Sequence, residues 1–454
     1  MAEHTKTIDF TRGSLGSNII KFSIPLFLGN LFQQMYNAAD SLIVGNTLGP
    51  KALASVASSG SLIFMLVGFF NGLAIGAGVV ISKYFGARDN ERMTKAIHTD
   101  LAFGLIAGAL LTVLGVLLTP AILRLMRTPA DILDGSIRYF RIYSYGIIFC
   151  VMYNICMGIM NATGDTVHPL IYLLISSVAN VVLDLFFIKV LNWGVGGAAA
   201  ATTMGQGISF VLCMIRLVRT DEVYKVNLRS IGIDVPILKE IVRYGLPSGI
   251  QNSVIAIANL FVQSNYNTFT STAVAGCGSY AKLEGFAFIP INAFVAALTT
   301  CISQNLGAGK HDRARQGARF GILVCMAIAQ AIGLLMILFA PTLIGLFNSN
   351  PEVIDYGVRQ IRLEAWFYTV LAMSHSIAGV MRGAGKAKVP MFVMLGVWCI
   401  FRVSYITVAM SISHTIELVF AAYPITWTIS SIIFIIYMLK SDWVHGLEYR
   451  PDLK

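Results

Sequence analysis

Twelve apolar stretches, each near the length that crosses a lipid bilayer, divide this chain and leave it few soluble alternatives. At about 20 residues per membrane helix, they fall at roughly 19–45, 52–82, 94–118, 132–160, 166–190, 195–217, 241–268, 274–304, 316–339, 353–381, 388–410 and 415–439. Within hydrocarbon only helices or closed barrels satisfy the backbone internally. The expected fold class is therefore an all-α polytopic membrane protein with twelve transmembrane helices. Only 12% of the 454 residues are charged, about half the share of a soluble domain. Residues 1–18 are polar and lack the apolar core and cleavage site of a signal peptide, so the first stretch reads as a retained helix. Cys150, Cys156, Cys213, Cys277, Cys301, Cys325 and Cys399 all lie in apolar runs without metal-ligand spacing, and read as packing thiols.

The net charge of +10 sits in short loops. That distribution belongs to membrane topology, so the bilayer is an expected partner and nucleic acid is not. With the N-terminus in the cytoplasm, cytoplasmic segment ends hold Lys6, Arg12 and Lys21; Lys83, Arg88, Arg92 and Lys95; Arg216, Arg219, Lys225, Arg229, Lys239 and Arg243; Lys310, Arg313, Arg315 and Arg319; and Arg382, Lys386 and Lys388. The outer loops hold only Lys51, Arg124, Arg127 and Lys189. Positive loops favour the inside, so both termini are expected in the cytoplasm and the protein in the cell (inner) membrane.

The chain also repeats. Ser82, Gly86, Ala87 and Arg92 recur 221 positions later as Ser303, Gly307, Ala308 and Arg313. Pro120/Pro341, Gly164/Gly385 and Pro169/Pro390 keep that register, and Pro25, Asn30 and Asn37 recur at 222 as Pro247, Asn252 and Asn259. Six helices per copy is an even number, so the copies share one orientation and a pseudo-two-fold axis along the membrane normal. The expected organisation is an N-lobe at 1–218, a cytoplasmic linker at 219–240, and a C-lobe with a cytoplasmic tail at 241–454. Such repeats place a central cavity between the halves and suit alternating access.

Against this apolar background a few polar residues stand out. Asp40 lies in the first stretch, where an acid at membrane depth costs roughly 2.5–3.5 kcal/mol on insertion scales. It marks an ion or substrate path, or else sits near the helix end and reaches headgroup water. Ser177, Asn180 and Asp184 follow at i, i+3, i+7 on one face of the fifth stretch. They belong to a site, or they glue two helices by hydrogen bonds. By the repeat, Asp40 maps to Val262 and Asp184 to about Tyr405, so the acids are absent from the second copy. That asymmetry favours a function confined to the N-lobe. Pro25 removes one backbone hydrogen bond from the first helix, which makes it a bending candidate or a static kink.

Twelve helices in two six-helix repeats, a proline in the first helix of each half, and paired G-A-R/G-A-G loops together resemble the multidrug and toxic compound extrusion (MATE) transporters. Asp40, Asn180 and Asp184 resemble the DinF-like branch. The resemblance implies that these acids, with Thr202 of the sixth helix, form a cation-coupling site. It implies a cation-coupled antiporter that exports drug-like compounds, with no cofactor beyond the coupling ion. Either H⁺ or Na⁺ suits the residues. Two buried carboxyls near one another do not both ionise cheaply without a cation, and titrate as a coupled pair. Na⁺ wants hard oxygen ligands, which Asp40, Asn180, Asp184 and Thr202, with the Ala198 carbonyl at a helix irregularity, would supply.

Gln34, Tyr36, Asn37, Asn154 and Met204 are candidates for lining a cavity that takes flat organic cations; ordinary packing is the alternative for each. Lys282 and Glu284, at i, i+2, do not face each other, and Glu284 is a candidate for substrate charge selection. Glu364 and Arg402 are expected buried partners, and His375 an interior histidine with its bonds satisfied. No Walker loop, HExxH or GxSxG is present, which leaves a membrane-embedded enzyme without a constellation. A lipid-linked oligosaccharide flippase shares the architecture, but that class carries basic cavity residues where this N-lobe presents acids. A receptor or scaffold leaves the acids and the repeat unexplained. A monomer is expected.

Overall fold

The computed structural model describes residues 7–126 and 128–447. Lys6, Arg127 and the tail beyond 447 lie outside the described residues. Among those described, every regular element is helical, as the internal bonding rule for hydrocarbon requires. The helices group into twelve segments: α1 (Leu15–Leu48), α2 (Pro50–Ala87), α3 (Asn90–Leu125), α4 (Ala130–Tyr145, then Ile147–Ala162 beyond a 47° bend), α5 (Val167–Val190), α6 (Val195–Arg219), α7 (Val235–Tyr266), α8 (Ser271–Gly307), α9 (His311–Leu338), α10 (Pro351–Glu364, then Tyr368–Gly383), α11 (Lys388–Ile412) and α12 (Ile416–Lys440). Among the described residues nine of these pass for membrane spans by length and apolarity, and the bent α4 makes a tenth, whereas α7 and the broken α10 do not.

Several helices overrun the apolar stretches because their polar ends are capped beyond the hydrocarbon. At α3 the Asp89 carboxylate accepts from Arg92 N at 2.9 Å. At α7 the Asp234 side chain accepts from Ile237 N at 3.2 Å. The helix therefore opens at Val235, and the expected linker yields its last six residues to it. Two stretches expected as single helices are interrupted. α4 bends at Gly146, whose missing Cβ would lie 2.3 Å from Thr203 Cγ2 of α6. α10 breaks at the 3₁₀ turn Ala365–Phe367. α5 and α11 each contain a π-helical stretch, Phe186–Val190 and Leu395–Phe401.

The chain forms two compact units. One comprises Leu28–Gly245 with residues 7 and 8; the other comprises Asp9–Phe27 with the chain from Leu246 onward. α1 thus contributes to both, and the division falls two residues past Pro25, through which the helix runs unbroken. Within the first unit the 220–234 stretch is docked rather than loose. Tyr224 OH donates to Asp165 Oδ2 at 2.8 Å, Asn227 N to His98 Nε2 at 3.1 Å, and Asp234 N to Thr99 Oγ1 at 3.1 Å. Burial pushes the Asp165 carboxyl up, but hydrogen bonds from His168 and Tyr224 outweigh it and hold it below the usual carboxylate range.

Within the second unit the segment before α1 is tied down by α8 and α9. Phe10 N donates to Gln304 Oε1 at 3.0 Å, and Arg313 reaches the carbonyls of Phe10, Arg12 and Gly13. After α12, Trp443, Val444 and Leu447 are buried. The repeat persists at the level of single bonds. Ser82 Oγ donates to Ala162 O at 3.0 Å, and Ser303 Oγ to Gly383 O at 2.9 Å, both ends displaced by 221. Asp165 N to Met160 O and Lys386 N to Met381 O obey the same shift.

Candidate functional site

The two acids singled out by hydropathy meet in the first unit. Asp40 lies on α1 and is buried; Asp184 lies on α5, two residues before the π-helical stretch, and is fully buried. The two carboxyls are close neighbours, each within the other's field, and a hydrogen bond between them would need a proton on one. Asp40 Oδ1 and both Asp184 oxygens have no donor. Asn180, one turn before Asp184, is buried with both amide atoms unpartnered. Among the described residues no lysine, arginine or histidine pairs with either acid. Buried polar groups are nearly always hydrogen-bonded, so this concentration of unmet oxygens is the signature of a site.

Small residues bring the third wall close. A Cβ on Gly205 of α6 would lie 3.2 Å from Asn180 Cβ, and one on Gly197 would lie 3.0 Å from Phe187 Cβ. This lets α6 approach the acids at Thr202, in a neighbourhood that Tyr36 of α1 and Tyr139 of α4 share with Asp40 and Asp184. Thr202 Oγ1 donates to Ala198 O at 3.0 Å. α6 is continuous there, so that carbonyl is engaged by its own helix. The helix irregularity lies instead across from it, in the π-helical stretch of α5.

The other candidates are dispersed. Gln34, Asn37 and Met204 are exposed on α1 and α6, while Tyr36 is half-buried. Asn37 Nδ2 reaches only Gln34 Oε1, at 3.5 Å. Asn154 of α4 donates to Cys150 O at 2.8 Å and lines a narrow cavity with Tyr143 and Phe70. Ser177 and Ser176 both donate to Leu173 O, and it is Ser176, not Ser177, that is buried.

The second unit holds a separate polar core. Glu364 accepts from Tyr280 OH and Gln360 Nε2, both at 2.8 Å. Arg402 donates to Thr426 Oγ1 at 2.8 Å and lies over the Trp398 and Tyr423 rings at 4.8 and 4.5 Å. The expected Glu364–Arg402 partnership is thus not a direct ion pair; aromatic faces and hydroxyls take each group instead. Glu284 receives Tyr280 OH at 3.4 Å. His375 bonds Leu371 O at 3.1 Å between the Phe288 and Trp398 rings. Where the repeat places the counterparts of Asp40 and Asp184, Val262 and Tyr405 pack in an apolar cluster with Tyr266, Ile406 and Phe420.

Sequence reasoning passed over Tyr139 and Asp100. Tyr139 and Tyr143 were legible as an i, i+4 aromatic pair in the fourth stretch. Asp100 was legible as a lone acid inside the third.

A helical fold built as two repeats and carrying a buried polar site defines a multi-pass membrane transporter. The MatE family model matches residues 25–186 and 247–404, and the chain belongs to that family. It is similar to two Bacillus subtilis proteins, "Probable multidrug resistance protein YpnP" (28% identical, over 84% of this chain and 85% of that protein) and "Probable multidrug resistance protein YoeA" (27%, over 92% of each). Its fold matches a solved multidrug resistance MATE family transporter of the MOP superfamily in an outward-facing conformation, with a TM-score of 0.89, 24% identity, and coverage of 98% of this chain and 99% of that one.

Proposed function

We propose that this protein exports cationic or aromatic drug-like molecules by alternating access, in exchange for a proton or sodium ion held at Asp40 and Asp184. The observation that carries the reading is the facing carboxyl pair, buried and without a cationic side chain beside it. A proton needs only that pair, titrating as one unit. Sodium would add Asn180 Oδ1 and the Thr202 hydroxyl, which are hard oxygen donors of the kind such ions take. The Ala198 carbonyl would join only if α6 opened. Loading either ion neutralises the pair, and a difference in ion affinity between two conformations is what drives exchange.

Tyr36, Gln34 and Asn37 lie on α1 around Asp40 and suit aromatic cations; Asn154, Met204 and Glu284 are secondary candidates. The multidrug resistance names of the similar Bacillus subtilis proteins support the cargo class. On this reading the protein works as a monomer in the cell membrane with both termini cytoplasmic, an orientation supported by the loop charges. Proteoliposomes holding a cationic dye, given a pH or sodium gradient, test it. Gradient-driven accumulation is expected. Dye flux indifferent to both gradients, or movement of anionic lipid-linked sugars only, would replace the reading.

A further inference from the structure

Asp100 sits on α3, ten residues past its start at Asn90 and so about 15 Å along the helix. It is 4% exposed, and among the described residues it has no hydrogen-bond or ion-pair partner. The preceding two residues are engaged: His98 and Thr99 hold the docked 220–234 stretch. The Asp100 carboxyl instead lines a narrow cavity with Phe70, Leu73, Phe103 and Ile155. An unpaired buried carboxyl costs several kcal/mol when ionised, and nothing in the packing offsets it. No charged side chain faces it from α2, α4 or α6; its titratable neighbours are the Cys156 thiol and, beyond that, Cys213.

This cavity adjoins a second one. The two share Phe70 and Val151, and the second continues past Asn154 to Tyr143. Tyr143 stacks on Tyr139 at 6.5 Å between centroids, and Tyr139 is a neighbour of Asp40, Asp184 and Thr202. The two cavities together extend from Asp100 to Tyr143 along mainly apolar walls, with Asn154 and Tyr143 as polar side chains on the way toward the acid pair. Between them, Phe70 and Val151 form the shared apolar wall that a proton would have to pass by water.

We propose that Asp100 is the cytoplasmic station of a proton path inside the first unit. The proposal rests on the proton form of the reading above. A proton leaves the Asp40–Asp184 pair as the free carboxylate re-forms there, passes by Tyr143 and cavity water, and protonates the Asp100 carboxylate. Asp100 then gives it to water beside the docked 220–234 stretch. An isolated acid in an apolar cavity with room for about one water suits that task and is too confined for an organic cation.

The test is proton flux, read with a pH dye inside proteoliposomes, alongside ethidium transport and equilibrium ethidium binding. Asp100→Asn should slow proton-coupled transport at least tenfold and leave ethidium affinity within twofold. Asp100→Glu should recover at least half the wild-type rate. Phe70→Trp, which fills the shared step without touching a titratable group, should slow flux similarly and decides the matter if Asp100→Asn folds poorly. Wild-type flux in either well-folded variant overturns the path, as does transport driven by sodium alone and insensitive to pH. Asp40→Asn separates the two ideas. If it keeps coupled transport, the coupling site itself is wrong. If it abolishes coupling while Asp100→Asn is normal, only the path fails.

Discussion

Replacing Asp40 by asparagine asks whether the carboxyl pair is machinery or scaffold. The side chain keeps its size, and its new amide can donate to an Asp184 oxygen that now has no donor. A hydrogen bond to a charged acceptor contributes about 1.5–3 kcal/mol, so the variant should melt no lower than wild type. It mimics a permanently loaded pair and cannot release its ion. One pH unit is worth about 1.4 kcal/mol per proton, which for one-for-one exchange sustains roughly tenfold accumulation of a monovalent cation dye. Asp40→Asn should bring that ratio to about one while leaving equilibrium dye binding within a few-fold. Asp184→Asn should behave alike, and the double variant should be little worse than either, because the two groups serve one step. Thr202→Ala removes a single neutral ligand and should reduce coupling only partially. The assay is dye accumulation under an imposed gradient, with thermal unfolding in detergent as the folding control. Gradient-dependent accumulation in a well-folded double variant would refute the reasoning and turn attention to Glu284 and Glu364.

Topology is checked by labelling: single cysteines at Thr47 and Ser349, both exposed, should react from outside and one at Asp221 should not. Asp165→Ala removes the acceptor for Tyr224 OH and for His168 at its ring and backbone nitrogens, which should cost about 3 kcal/mol near neutral pH. Because its folded-state titration lies below the usual value, that contribution is complete above about pH 4 and disappears as pH falls through the folded value. The melting difference between variant and wild type should therefore narrow as pH falls below about 4, and a difference independent of pH would contradict the account. Gly76→Ala places a Cβ 2.2 Å from Gly245 Cα, where backbone cannot yield, so a loss of about 1–3 kcal/mol is expected, read as a lower unfolding midpoint.

Much of this was local in the sequence. The helical character follows from apolar length, and the repeat from matched residues at offsets of 221 and 222. The rarity of acids in apolar runs picked out Asp40, Asn180 and Asp184 before any contact was known. Expectations that needed a partner fared less evenly. Ser176 and Ser177, about 100° apart, flank the Asn180–Asp184 direction on either side, so periodicity does not rank them, and packing against Ser209 of α6 chose Ser176. Glu364 and Arg402 are opposite charges in neighbouring helices, yet hydroxyls and aromatic rings satisfy each one nearer at hand. The irregular backbone expected near Ala198 lies in α5, because π-helical geometry depends on tertiary packing.

By itself the sequence determined that the chain is built of long apolar helices, that they form two copies of one plan, and which copy carries the acids at Asp40 and Asp184. Those are statements about hydropathy and spacing, which are properties of a helix alone. Only the tertiary structure decided that Asp40 meets Asp184, that Tyr139 joins them, that the 220–234 stretch is docked on Asp165, and that Asp100 faces a cavity without a partner. Each depends on how helices distant in sequence rotate and close upon one another, and that is set by where glycines such as Gly205 and Gly146 let two backbones approach.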